Sequence, residues 1–203
     1  MKQLPKKFFD RHDVVQIAME LLGKLVITNI DGKETGGRIV ETEAYVGLVD
    51  KASHSFNGRR TPKNEHMYCS PASSYIYICY GMHQMLNIIT NKKDIPDAIL
   101  IRAIEPLIGL DIMLARSGKA VIDYTLTKGP GNVGKTLGLT KANSGKDLMN
   151  GEIKLYSDDE SNIQKASIGM SKRIGVESAG ADGLLPYRFY IKGNKYVSGR
   201  PVK

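Results

Sequence analysis

Cysteine is scarce in this chain. There are two, Cys69 and Cys79, ten residues apart, with no Cys-x-x-Cys pair and no clustered histidines. Such spacing gives neither a disulfide framework nor a zinc site, so the thiols read as buried or unreactive and no metal is expected. No apolar run approaches the roughly 18 to 20 residues of a membrane-spanning helix. The amino terminus, MKQLPKKFFDRHD, is basic but has no apolar signal-peptide core, which points to a cytoplasmic, nucleoid-associated protein with no membrane partner. Acidic residues are outnumbered: 21 Asp and Glu face 29 Lys and Arg, a net charge of +8. That balance favours a polyanionic partner, above all nucleic acid.

What is present suits one folded domain, residues 1–203. The chain is 41% hydrophobic and 25% charged, which excludes disorder. Residues 13–25 carry apolar side chains at helical spacing. KLVITNI and DGKETGGRIVETEAYVG read as two strands joined at Asp-Gly. Residues 48–73 are polar and rich in Gly, Pro, Arg and Asn, a long ordered loop of the kind that usually carries function. Strand, turn and strand follow over 74–90, a buried strand over 98–106, and helices over 107–118 and 132–139. Short strands over 152–157, 168–176 and 188–193 complete the chain. The sum is an α+β domain with a mostly antiparallel sheet surrounded by helices.

Several stretches carry candidate chemistry. GPGNVGKT, residues 129–136, satisfies the P-loop pattern letter for letter. Its context fails, because the preceding VIDYTLTK is not a strand and no apolar strand ending in Asp follows to hold magnesium. In RIVETEAYVG, strand alternation puts Glu41, Glu43 and Tyr45 on one face and Val40, Thr42 and Ala44 on the other. A carboxylate beside an aromatic surface can serve as a general base. His54 and the basic trio Arg59, Arg60 and Lys63 lie in the long loop, where the cations suit phosphate contacts. Arg102 interrupts an apolar strand and needs a carboxylate partner. YIYICYGMHQMLN, residues 75–87, sets Tyr75 and Tyr77 on one parity and Ile76 and Ile78 on the other, then places Tyr80 at a turn beside Gly81. A carboxylate, stacking tyrosines, a buried arginine and a basic surface are together the parts of an enzyme acting on an extruded base.

GRIVETEAYVG, ASHSFNGRRTPKN, YIYICYGMHQMLNI, ILIRAIEPLIGL, KGPGNVGKTLGL and LPYRFYIKG occur in one order over about residues 10–200. As a set they resemble the alkyladenine (3-methyladenine, methylpurine) DNA glycosylase family, of the type typified by the human enzyme. The resemblance implies a curved antiparallel sheet like the carboxy-terminal domain of formyltransferases, and excision of alkylated or deaminated purines from duplex DNA without a cofactor. It implies Glu43 as the base that deprotonates water, with Arg102 and the main-chain carbonyl of Ile174 holding that water. Tyr45 and Tyr77 would sandwich the flipped base, with His54 at its edge and Ala52 in main-chain contact. Asn87 would exclude the exocyclic amine of guanine. Tyr80 would be the wedge entering the minor groove, flanked by Met82 and His83.

The block order also accounts for residues 129–136 as a Gly-Pro helix start. No lysine accompanies Glu43 in the motif RIVETEAYVG, so a hydrolytic, monofunctional enzyme is expected, and because a single lesion requires no symmetry, a monomer. His83 stands where the human-type enzyme has an aromatic residue, and Glu177-Ser178 where it has Gly-His. Two other classes would make different demands on the sequence. A damage-binding module without turnover would have no use for a carboxylate facing anionic DNA. A nucleotide-binding enzyme using residues 129–136 would need a strand directly before Gly129.

Overall fold

The computed structural model describes residues 1–199. Its centre is a pair of long antiparallel strands, β3 (Lys33–Tyr45) and β6 (Asp97–Ile108). Alternating β-branched and polar residues favour extended backbone here, and burial on both faces follows from what packs on each side. Beyond β6 lie β5 (His83–Thr90) and the edge strand β4 (Ser73–Cys79). The other edge of β3 is shared. Its first half pairs with β2 (Leu25–Ile30), followed by β7 (Ile153–Ser157) and β1 (Lys2–Gln3). Its second half, Glu41 to Glu43, pairs with β9 (Arg188–Ile191), which carries β8 (Ile168–Ser171). Every pairing is antiparallel, and the sheet is curved, as expected of the α+β domain read from the sequence.

Helices cover one face. The first is the single turn α1 (Lys6–Phe9), followed by α2 (Val14–Glu20). Asp13 caps α2 by accepting the Gln16 amide at 2.9 Å, leaving one fewer orphan donor at its start. Ile17 and Leu21 of this region meet Ile76, Leu86, Ile88, Ile99 and Ile101 from the sheet in one buried cluster. The Thr42 hydroxyl donates to the Ala18 carbonyl at 2.8 Å, pinning α2 between the two acidic positions of β3. On the same face sit α3 (Leu110–Ser117) and α4 (Pro130–Thr136). The opposite face of β3 to β6 is left open to a cavity.

Several expected elements differ in extent. The 107–118 helix starts at Leu110, because Leu107 and Ile108 still belong to β6. The 168–176 strand ends at Ser171, and the two-residue β1 has no period from which to be read. Ile78 is 45% exposed rather than packed with Ile76, because β4 outruns the core towards its turn. Among the described residues, no helix is long and apolar enough to cross a membrane.

The P-loop reading fails on structure too. No strand precedes Gly129, whose φ of 90° makes an abrupt turn into α4. The Lys135 ammonium donates to the Ser117 carbonyl at 3.0 Å. Gly134 is there for close approach: a Cβ would lie 1.9 Å from the Gln84 carbonyl oxygen of β5. Gly134→Ala is therefore expected to cost at least about 2 kcal/mol, and Lys135→Ala about 0.5 kcal/mol. Urea unfolding of the two variants checks this, and equal losses would remove close packing as the reason for the glycine.

Candidate active site

Directly opposed residues of a pleated sheet face the same side. The register therefore lines up Tyr75, Asn87, Leu100, Glu43 and Arg188 as one row across β4, β5, β6, β3 and β9. Beside it run Tyr77 with Met85, and Tyr45 with Ala98. Residues as far apart in sequence as Glu43 and Arg188 thus converge on the face that the helices do not cover.

Glu43 is fully buried. Its Oε1 accepts the Ile174 amide at 2.8 Å and lies 3.3 Å from Arg102 Nη1. Its Oε2 accepts the Tyr45 hydroxyl at 2.8 Å. Burial pushes the Glu43 carboxyl above the usual carboxylate range, against the pull of Arg102, the Ile174 amide and the Tyr45 hydroxyl. Arg102 meets the requirement set by its apolar strand through this contact and a 2.9 Å bond from Nε to Glu41. At Ile174 it is the main-chain amide that reaches Glu43.

Glu43 lies just behind the wall of a cavity of about 480 Å³, within the usual range for ligand sites. Its three partners, Tyr45, Arg102 and Ile174, line that cavity, together with Ala52, His54, Tyr77 and Asn87. The His54 ring stands edge-on to Tyr77 at 4.6 Å, and its Nδ1 is 2.9 Å from the Tyr75 hydroxyl. Burial, then the nearby Arg59 charge, pulls the His54 pKa below 6.5, so the ring is neutral at pH 7. Tyr77 is pushed up to about 12, mainly by burial, and stays an uncharged stacking surface. Asn87 is fixed by Nδ2 donating to the Tyr75 and Met85 carbonyls, both at 3.2 Å. The Ala52 amide is spent on Asp50, which leaves its carbonyl for a ligand. A separate groove of about 570 Å³ between α2 and residues 161–170 holds none of these side chains, so volume alone does not find the site.

Two contributors escaped the sequence reading. Tyr75, to which the resemblance gives no role, is buried and orients His54; its shared parity with Tyr77 is the available signal. Arg173 is buried against Asp50, donates to the Ala44 carbonyl at 2.9 Å and covers the Tyr45 ring at 4.7 Å. It ties the end of β3 to the segment that carries Ile174. No local spacing announces a pair 123 residues apart.

The turn after β4 presents Tyr80, 89% exposed, with Met82 also exposed and His83 seated against Gly131 of α4. Tyr80 and Gly81 have φ of 51° and 73°, the left-handed pair that a tight hairpin turn requires. On the far side of this turn a second cavity of about 590 Å³ is lined by Arg59, Lys63 and Lys141, the last not foreseen. Of the expected basic trio, Arg60 is exposed and paired with Glu65 and Asp94, and its guanidinium lies over Tyr68.

Comparison with known proteins agrees with this geometry. The family model described as methylpurine-DNA glycosylase (MPG) matches residues 7–195. Relatives named "Putative 3-methyladenine DNA glycosylase" include one from Clostridium perfringens strain 13, 41% identical, covering 97% of this chain and 98% of its own. Another, from Desulfitobacterium hafniense, is 40% identical with 98% and 99% covered. One from Methanocella arvoryzae is 40% identical with 98% of both covered. A match over nearly the whole length, on a sheet that buries one carboxylate behind an aromatic cavity, leaves one assignment: the chain belongs to the methylpurine-DNA glycosylase family and is a DNA glycosylase.

Proposed function

We propose that this enzyme flips alkylated or deaminated purines, such as 3-methyladenine, 7-methylguanine, hypoxanthine and ethenoadenine, out of duplex DNA and hydrolyses their N-glycosidic bond. The observation that carries this reading is the placement of Glu43, a buried carboxylate whose three partners form the wall of an aromatic cavity. Water attacks the anomeric carbon as the bond to the base nitrogen breaks. The base leaves with the bonding electron pair, and Glu43 takes the proton of the water. Oε2 has one donor, the Tyr45 hydroxyl, and keeps a lone pair for that water. The same negative charge stabilises the oxocarbenium character developing on the sugar.

Tyr45 and Tyr77 stack on the extruded base, and a cationic alkylated purine gains most from their electron-rich faces. His54 meets its edge, and Asn87 screens its exocyclic groups. Tyr80 enters the emptied stack with Met82 and His83 beside it, while Arg59 and Lys63 hold backbone phosphate. One lesion needs one site, so the monomer suffices, and work on chromosomal DNA places the enzyme at the nucleoid.

Glu43→Gln is expected to lower kcat for base release from a hypoxanthine- or ethenoadenine-bearing duplex by about a hundredfold to ten-thousandfold, with lesion binding kept. Full turnover in that variant would sink the reading. Because burial raises the Glu43 pKa above 4.5, kcat should fall with decreasing pH while the medium is still above the range of an exposed carboxylate. A pH–rate profile flat down to pH 4.5 would contradict this. Tyr80→Gly separates function from folding. Relief of the left-handed tyrosine should raise stability by up to about 1 kcal/mol, while lesion-duplex affinity, read by fluorescence anisotropy, drops.

A further inference from the structure

Glu41, two residues before the proposed base, takes no part in the reaction and is fully buried. Its Oε1 accepts Arg102 Nε at 2.9 Å, Arg188 Nε at 2.7 Å and the Ser198 hydroxyl at 2.8 Å. Its Oε2 accepts the Ser198 amide at 2.6 Å. The Ser198 hydroxyl in turn accepts Arg102 Nη2 at 3.1 Å, and the Ser198 carbonyl accepts Arg188 Nη2 at 2.5 Å. Each of the three Arg102 nitrogens therefore has its own partner: Nε on Glu41, Nη2 on Ser198, Nη1 on Glu43. A hydroxyl is the one small group that can donate to Glu41 and accept from Arg102 at once.

We propose that Ser198 and Glu41 are positioning residues of the active site, holding the Arg102 guanidinium so that Nη1 stays on the Glu43 carboxylate. The segment after β9 is then part of the catalytic apparatus: residues 194–198 return to the sheet and close it over the charged row. This rests on Glu43 being the base. The groups that face Glu43 are Glu41 and Tyr45 on its own strand, Arg102 from β6, Arg188 from β9, Tyr77 from β4, and Arg173 beside Ile174. Among these Arg102 supplies the strongest opposing charge on Glu43, so loosening it lets burial carry the carboxyl further up.

Ser198→Ala, and Ser198→Gly as a second variant should the first not fold, remove the hydroxyl and leave the main-chain bonds. The expected result is a kcat lowered about tenfold to a hundredfold, KM for lesion duplex little changed, and an acid limb moved to higher pH. Ser198→Thr, which keeps the hydroxyl, should restore both kcat and the acid limb. Titration of the Glu43 carboxyl carbon by NMR in the free protein, assigned with Glu43→Gln, should move the same way without any turnover. An unmoved Glu43 titration overturns the proposal, whether activity is intact or falls with the folded fraction. A wild type releasing no base would instead defeat the glycosylase mechanism proposed for Glu43, while the titration still decides the role of Ser198.

Discussion

A buried carboxylate stays charged only where its neighbours hold it so, and for Glu43 the decisive neighbour is Arg102. Burying a lone charge costs several kcal/mol, and burying a pair repays that only with good geometry and further hydrogen bonds. Here two carboxylates, Glu41 and Glu43, stand against two guanidiniums, Arg102 and Arg188, so the buried cluster is neutral when both acids are ionised. Three strands have to meet to assemble it: β3 supplies the acids, β6 and β9 one arginine each. The length of β3 follows from this, since it pairs with β2 on its first half and leaves its second half for β9. Helix α2, fixed through Thr42, closes the other side of the same three residues.

Electrostatic work is divided between interior and surface. Inside, each arginine is matched: Arg173 with Asp50, Arg102 and Arg188 with Glu41. Outside, Arg60 is neutralised by Glu65 and Asp94, and that leaves Arg59, Lys63 and Lys141 around the open edge of β4. The net charge of +8 is a bulk number, and what it places beside the hairpin includes these three cations. Screening by salt acts on them and hardly at all on the buried cluster.

Local periodicity announced what local geometry decides. Alternation in RIVETEAYVG put Glu43 and Tyr45 on one face, alternation in YIYIC did the same for Tyr75 and Tyr77, and a cation in an apolar strand demanded the partner that Arg102 has. The Asp31-Gly32 turn and the sheet class were equally plain. Pairings that depend on tertiary return were not. Arg173 with Asp50 and Ser198 with Glu41 join positions 123 and 157 apart, and nothing in the flanking residues encodes such a meeting. Arg60 shows the converse, since a run of basic residues does not reveal which member finds acids after folding. Ile78 shares the parity of buried Ile76 and is exposed, because alternation says which face a side chain takes, not how far the core extends along the strand.

Tyr77 and Tyr80 ride on one hairpin whose turn is fixed in the left-handed region and whose base is wedged against α4 through His83 and Gly134. The Tyr77 ring stands on the strand and the Tyr80 ring on the turn, so the span between them is set by the hairpin itself. In the proposed reaction a base displaced by Tyr80 meets Tyr77 across that same span whichever base it is, so selection would rest on how readily a given base leaves its stack and how well it is held on arrival.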